Sequence, residues 1–397
     1  MKIFYSHYLA SDEHPAARMV ASIARGLERL GHQVRIHRSA PSEPVTGSAK
    51  RSGSGKKKSG WKQRIKDRLW FLKALWRNRG FFPRDLEAVK QFQPDILLSR
   101  QDAYCYSMVK VAKRTGIPLV TYADAPVAYE VRHFEEGGRW NPPGLVESIE
   151  RQQLIASQAV ITVSQGARRI LERYRLEVPI HVVPNGVEAP LLPLPTPAER
   201  QNRRSELGVR ASRLIGFAGS FKPFHGLDLL ATLMEATASR DDCQWVLIGD
   251  GPGLDRFRSL ATSWKHPPLI TGWIATQKVR EILQLVDVAV APHARTKGEF
   301  YFCPLKLLDY ASGGCAILGS DQGDLPRLLG GAQAGAWVET DSVAIWTEHL
   351  FRLLDQPEVT RAMGRLAREQ VEAGLTWDHT ASQIEKVLKA TLSSASK

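Results

Sequence analysis

The sequence predicts an α/β protein built from two doubly wound, Rossmann-like domains. Three observations carry that expectation. At 397 residues the chain exceeds the size at which single hydrophobic cores stop growing. Short apolar runs alternate with segments of helical period, in two separate series. Between the series lies 189–204 (APLLPLPTPAERQNRR), proline-rich and then polar, which is the composition of a linker.

Composition narrows the class. Hydrophobic residues at 43% and charged residues at 24% describe a soluble globular chain rather than a disordered or membrane-spanning one. No apolar stretch approaches the roughly 18 residues of a membrane span, and KIFYSHYLA at the amino end reads as a buried strand, not a signal peptide. Cys105, Cys243, Cys303 and Cys315 are isolated singletons without the spacing of a zinc site or a disulfide scaffold, so a reducing cytoplasm is expected. The net charge of +13 is concentrated: residues 47–80 hold 12 Lys or Arg and one acid, Asp67, for +11, leaving +2 elsewhere.

In chain order, residues 2–9 read as a strand. Residues 16–30 read as a helix with Ala17, Val20, Ile23, Ala24 and Leu27 on one side and Gly31 at its end, and 33–37 as a second strand, opening a βαβ unit. The loop after the first strand lacks the glycine fingerprint of a dinucleotide site, which argues against a nucleotide in the first domain. Residues 40–60 read as a Gly, Ser and Lys-rich loop. Residues 61–80 follow as a basic amphipathic helix, with Trp61, Ile65, Leu69, Leu72 and Trp76 recurring at three to four and Lys62, Lys66, Lys73 and Arg77 on other faces. Three readings stand for it: a helix packed on its own domain, a contact with an anionic membrane surface, or a nucleic-acid contact. The last is disfavoured because no nucleic-acid module accompanies it.

Residues 94–99 and 118–122 read as strands around a helix at 104–115. The polar stretch 123–138 then reads as a loop outside a strand end, bearing Asp124, with His133, Glu135 and Glu136 as weaker candidates. Helices at 143–157 and 166–174 and strands at 159–164 and 181–184 lead to the Asn185-Gly186 turn. In the second series, 214–218 ends in Gly219-Ser220 before a helix at 227–237, and 245–248 ends in GDGPG. A strand at 268–271, a helix at 276–285 and a strand at 286–291 follow, and a helix at 305–311 runs into a strand at 315–318. Glycine-rich strand ends, Lys222 and Lys306, and the start of the 305–311 helix are suited to a diphosphate: backbone N–H groups, mobile positive charge and a favourable dipole. Either lysine, taken alone, is equally a surface lysine.

The segment PLKLLDYASGG (304–314) resembles the donor-binding segment of the glycosyltransferases of family four. The series Gly31-His32, Asn185-Gly186, Gly219-Ser220, His225-Gly226, GDGP at 249–252, Thr271-Gly272, Asp287 and 304–314 occurs in family order. The resemblance implies a GT-B fold, with two Rossmann-like domains facing across a cleft. It divides the chain into an acceptor-side domain (1–190) with the basic insert 47–80, a donor domain (200–375), and a terminal helix (376–397) that returns toward the first domain. It also implies a retaining transfer of a sugar from a nucleoside diphosphate, UDP or GDP, to a glycan or lipid-linked acceptor in cell-surface polysaccharide or glycolipid synthesis. No cofactor or metal is implied.

Residue by residue, the resemblance assigns Gly186, Gly219, Ser220, His225, Pro304, Leu305 and Asp309 to the donor, Lys222 and Lys306 to its diphosphate, and Asp124 to the sugar or acceptor. Asp124 also reads as a turn or helix cap, and His225 as a cap. Of the family's two glutamates seven residues apart, Asp309 replaces the second and Tyr301 the first, with Glu299 nearby. That substitution keeps a non-catalytic scaffold binding a protein or anionic polymer as an alternative, beside a sugar-nucleotide epimerase. Localisation is expected to be cytoplasmic or peripheral on the cytoplasmic membrane face; oligomeric state is not legible.

Overall fold

The computed structural model describes residues 1–9, 15–39, 61–133, 142–260, 264–295 and 298–395, with the side chains of 15, 61–68 and 395 outside that description. The expected loop at 40–60, most of the charge of 47–80, and Glu135 and Glu136 fall outside the described residues. The chain forms two compact units, Met1–Pro184 with Trp377–Lys397, and Asn185–Thr376. The proline-rich 189–204 stretch therefore lies inside the second unit.

The first unit is a parallel sheet of β1 (Lys2–His7), β2 (Gln33–Arg38), β3 (Ile96–Arg100), β4 (Leu119–Ala123), β5 (Ala159–Thr162) and β6 (Ile180–Val182), in the order β2-β1-β3-β4-β5-β6. Its inner strands are apolar throughout because both faces are covered: Ile3, Phe4 and Tyr5 are fully buried, as are Ile96, Leu97 and Leu98. The crossovers are α1 (Pro15–Arg29), α2 (Trp61–Phe92), α3 (Ser107–Thr115), α4 (Val127–His133), α5 (Pro143–Ile155) and α6 (Gln165–Glu172).

Two of these differ from the sequence expectation. Helix α2 does not stop at Gly80 but runs through Pro83 to Phe92. Pro83 is exposed, so the carbonyl it leaves unpaired can be met by water. Beyond it, fully buried Asp85 accepts from His37 Nε2 (2.8 Å), Ser39 Oγ (3.0 Å) and Ser107 Oγ (2.6 Å), fastening the helix to β2 and α3. The polar stretch after β4 is not all loop: 127–133 is helical, and the N–H groups of Val127 and Ala128 are met by the buried Glu150 carboxylate (2.7 and 3.3 Å).

The second unit is again parallel: β7 (Arg213–Ala218), β8 (Cys243–Ile248), β9 (Leu269–Gly272), β10 (Val288–Ala291), β11 (Ala316–Ser320) and β12 (Gly335–Val338), ordered β12-β11-β10-β7-β8-β9. Its helices are α7 (Pro197–Leu207), α8 (Leu227–Thr237), α9 (Leu254–Leu260), α10 (Thr276–Leu283), α11 (Leu305–Ser312), α12 (Leu325–Leu328), α13 (Val343–Asp355) and α14 (Pro357–Gly374). Helix α7 occupies what composition presented as linker. Its boundaries are nonetheless chemical: Thr196 and Glu199 close a capping box, Pro197 sits at the first helical position, and Gly208 ends it in the left-handed region.

Helix α15 (Trp377–Ala395) belongs to the first unit, where it lies along α1. Arg29 pairs with Asp378 and His32 Nε2 meets Glu385 at 2.7 Å. The helices approach so closely at Gly26 that a Cβ there would sit 2.6 Å from Ala381 Cβ and 3.1 Å from the Trp377 carbonyl. Gly26→Ala is therefore expected to destabilise the first unit by about 1–3 kcal/mol despite alanine's better helix propensity, read as a lowered urea midpoint.

Candidate functional site

The order of the second sheet reverses between β7 and β10, where the chain leaves β7 toward β8 and returns on the other side. Ligands of open α/β sheets bind outside the carboxyl ends of the strands at such a point. Gly219 and Ser220 follow β7 there, and Pro292 and His293 follow β10. Backbone contacts at these ends require glycine. A Cβ on Gly251, whose φ is +156°, would lie 1.7 Å from the Ser220 carbonyl oxygen, and one on Gly226 would lie 1.6 Å from that of Pro292.

Three expected donor residues converge at this end of the sheet. A Cβ on Gly219 would be 3.1 Å from His225 Nδ1 and 3.1 Å from Lys306 Nζ. Lys306 Nζ is buried without a hydrogen-bond partner, 4.7 Å from the centre of the Phe217 ring, and burial pulls its pKa down to about 7. His225 Nδ1 is likewise buried and unpartnered, and burial, then the Lys306 and Lys222 charges, push its pKa down to about 3. At neutral pH the pair is a neutral imidazole beside an amino group that is divided between its neutral and charged forms, and a nearby negative charge would draw it to the charged one. An anion fits.

The other parts are placed as follows. His225 does not cap α8, whose N-cap is Gly226 with no side-chain bond. Helix α11 starts at Leu305 after Pro304, also without a side-chain cap; Leu307 donates to the Pro304 carbonyl at 3.1 Å, which leaves the Leu305 and Lys306 N–H groups at its positive end. Ser220 and Lys222 are exposed, on either side of Phe221, which is buried at a φ of +45° in the left-handed region a bulky side chain avoids. The Asn185 side chain donates to the Cys303 carbonyl (3.1 Å), holding the Asn185-Gly186 turn against the 301–305 segment. Asp309 is 28% exposed at its side chain, with Arg280 Nε 4.0 Å from Oδ1; burial raises its pKa to about 6 against the lowering by Arg280. Tyr301 is 1% exposed and packed against Phe302, ring centres 4.0 Å apart, while Glu299 is half-buried in the same segment.

In the first unit Asp124 follows β4, where Arg100 Nη2 reaches it at 2.9 Å. The α4 cap is left to Glu150, so Asp124 serves as an ion-pair partner at the strand ends rather than as a helix cap. Sequence reasoning missed three contributors. Tyr310 fastens α11 to the strand ends, its hydroxyl accepting from the Ala218 N–H at 2.7 Å. His293 packs 6.2 Å from His225, ring centre to ring centre, and burial first, then the Lys306 charge, push its pKa well below the usual histidine range. Arg280 supplies a buried Nε without a hydrogen-bond partner beside Asp309. The only signal for His293 was its place one residue past a strand-ending proline. Among the described residues no group of three His, Cys, Asp or Glu side chains could hold a metal ion.

Two Rossmann-like sheets, with an anion-ready switch point in the second, define the chain as a protein of the GT-B class. The chain superposes on HepE of Anabaena, solved in complex with UDP-glucose, with a TM-score of 0.70 at 11% identity, covering 98% of this chain and 100% of that one. Residues 16–189 match Glycosyltransferase Family 4 and residues 212–356 match Glycosyl transferases group 1. The chain belongs to the glycosyltransferases of family four. It is 27% identical over 285 residues to a D-inositol 3-phosphate glycosyltransferase of Gordonia bronchialis, covering 67% of this chain and 59% of that one. Over 213 residues it is 26% identical to a GDP-mannose-dependent monoacylated alpha-(1-6)-phosphatidylinositol monomannoside mannosyltransferase of Corynebacterium glutamicum, covering 52% and 55%. The chain thus spans under three fifths of the length of these two curated relatives.

Proposed function

We propose that this protein is a retaining glycosyltransferase that moves a sugar from a nucleoside diphosphate, UDP or GDP, to a glycan or lipid-linked acceptor in polysaccharide or glycolipid synthesis. The observation that carries the reading is the buried, unpartnered Lys306 amino group beside Gly219 and the unpartnered His225 nitrogen, at the sheet's switch point and on the first turn of α11. Names among the relatives support the substrate classes: HepE was solved with UDP-glucose, and the Corynebacterium glutamicum relative is a GDP-mannose-dependent enzyme acting on a phosphatidylinositol mannoside.

In this reading Lys306 and Lys222 neutralise the diphosphate as negative charge grows on it in the transition state. His225 Nδ1, when it bears the proton, donates to a phosphate oxygen. The Asp309 carboxylate accepts from the ribose hydroxyls, and Gly219 and Ser220 let the backbone approach the phosphates. Asp124, held by Arg100, faces the acceptor chemistry of the first unit. Free cysteines at all four positions support a reducing, cytoplasmic setting.

The test is a thermal-shift screen against UDP-, GDP- and ADP-sugars, followed by assay of nucleoside-diphosphate release. Stabilisation by one donor class, with the nucleoside diphosphate released when acceptor is added, is expected. Binding of none would overturn the reading. Sugar isomerisation without net nucleoside-diphosphate release would assign an epimerase instead, and binding without turnover a scaffold, the alternative that the buried Tyr301 favours.

A further inference from the structure

Helix α2 has two apolar faces, and only one of them is used. Trp70, Phe71, Ala74 and Leu75 pack with Tyr104 and Val146, and Phe81 and Val89 enter the neighbouring core. The stripe expected from the sequence to be the helix's apolar face is, where it is described, the other one. Leu69, Leu72 and Trp76 are 50%, 51% and 67% exposed. At 3.6 residues per turn these three, with exposed Gly80 and Pro83, span roughly 80° of the helix circumference. Exposed Lys73, Arg77 and Arg84 border that sector on one side and Arg79 on the other. From Leu69 to Arg84 there are four cations and no acid.

The buried face fixes the orientation of the exposed one. Asn78, on the inner side, donates to the Tyr104 carbonyl at 2.7 Å and accepts from the Tyr106 N–H at 2.9 Å. With the triply bonded Asp85 about two turns further along, it prevents α2 from rolling to hide Trp76. The outer face is therefore a persistent apolar ridge between cations.

We propose that this face of α2 docks on an anionic lipid surface, with Leu69, Leu72 and Trp76 entering the headgroup and acyl boundary and the flanking cations meeting lipid phosphates. The charge decides the occupant. A second copy of the chain would set four cations against four cations, and an ordinary protein partner would not require cations on both borders of the ridge. A central tryptophan ridge with basic margins is the arrangement of helices that lie in the interface plane, where an amphipathic indole and anionic headgroups are both available. Among the described residues no helix is long and apolar enough to cross a membrane, so the contact is lateral. This goes beyond the proposed transfer reaction and does not depend on it.

Co-sedimentation tests it directly on the full chain. Vesicles of phosphatidylcholine with about one third phosphatidylglycerol are compared with phosphatidylcholine alone, at low and high salt. Wild type is expected to bind the anionic vesicles and to be released by salt. The paired change Leu72→Ser with Trp76→Ser is expected to weaken binding by about tenfold or more, and Lys73→Glu with Arg77→Glu to weaken it comparably. Both pairs lie on solvent-facing positions, and an unchanged thermal midpoint establishes that each variant is folded. Equal vesicle binding by wild type and the Leu72/Trp76 variant, or none by wild type, overturns the proposal. So does a concentration-dependent dimer, or binding to duplex DNA, that the same variant abolishes while vesicle binding persists.

Discussion

Lys306→Met is expected to lower kcat/KM for the nucleotide-sugar donor by about 10²–10³-fold, the scale of losing one charge-stabilising donor at a reacting centre. Methionine keeps most of the side-chain volume against Phe217, so the loss reports charge rather than packing. Steady-state assay with the donor found by the screen checks it; a change of less than threefold would remove Lys306 from the transition state. The same group gives a pH signature. In the free protein burial holds the Lys306 pKa down to about 7, while an incoming diphosphate favours the charged ammonium and raises it. Donor binding therefore takes up a proton above about pH 7, and affinity should weaken there by up to about tenfold per pH unit. On the acid side Asp309 acts in the opposite sense. Its carboxyl, raised to about 6 by burial, is charged and able to accept ribose hydroxyls only above that pH. A UDP- or GDP-sugar, whose diphosphate does not titrate in this range, should bind best between about pH 6 and 7, measured by calorimetry. Lys306→Met should abolish the alkaline limb and leave the acid limb.

Those two residues were legible because their signal is local. PLKLLDYASGG puts Lys306 and Asp309 three apart on one short helix, so a single stretch of sequence states both the helix and the chemistry. The strands were legible for a similar reason, since a strand covered on both faces has to be an apolar run. What was not legible depends on sheet order. His293 and Tyr310 meet the site because β10 lies beside β7, a pairing between segments about 70 residues apart that no local period encodes. Arg280 lies inside the helix expected at 276–285 with no signal of its own, and only the packing of α10 against α11 brings it to Asp309. Helix α2 was read with one apolar stripe when it carries two. Periodicity finds such a stripe without saying whether protein covers it.

The misread linker leads to the largest stability effect expected in the second unit. Helix α7 lacks an apolar face, and what holds it is ionic: Asp287 meets Arg200 at 2.9 Å and Arg204 at 2.6 Å, and accepts from the Leu214 N–H at 2.7 Å. Both arginines also donate to the Leu285 carbonyl. Asp287 appeared in the sequence as one of the ordered family landmarks; its contacts are with the frame, binding α7 to the start of β7 and to the turn before β10. Asp287→Ala is expected to cost about 3–5 kcal/mol, because it leaves two largely buried guanidiniums and one strand N–H without their anion. Burial alone would raise the Asp287 pKa, but the Arg200 and Arg204 charges and the Leu214 N–H outweigh it, so the folded value lies below the ordinary aspartate range. A depressed carboxyl pKa stabilises above the unfolded value near pH 4 and loses that contribution as pH falls through the folded one. The wild-type minus Asp287→Ala difference in urea unfolding free energy should therefore be constant at neutral pH and shrink below about pH 4. A difference that persists there would mean that packing, not charge, joins α7 to the sheet. The triple change Asp287→Leu, Arg200→Leu, Arg204→Met separates the terms further: removing the charges together should cost much less than removing the anion alone, since the single change is dominated by stranding two cations.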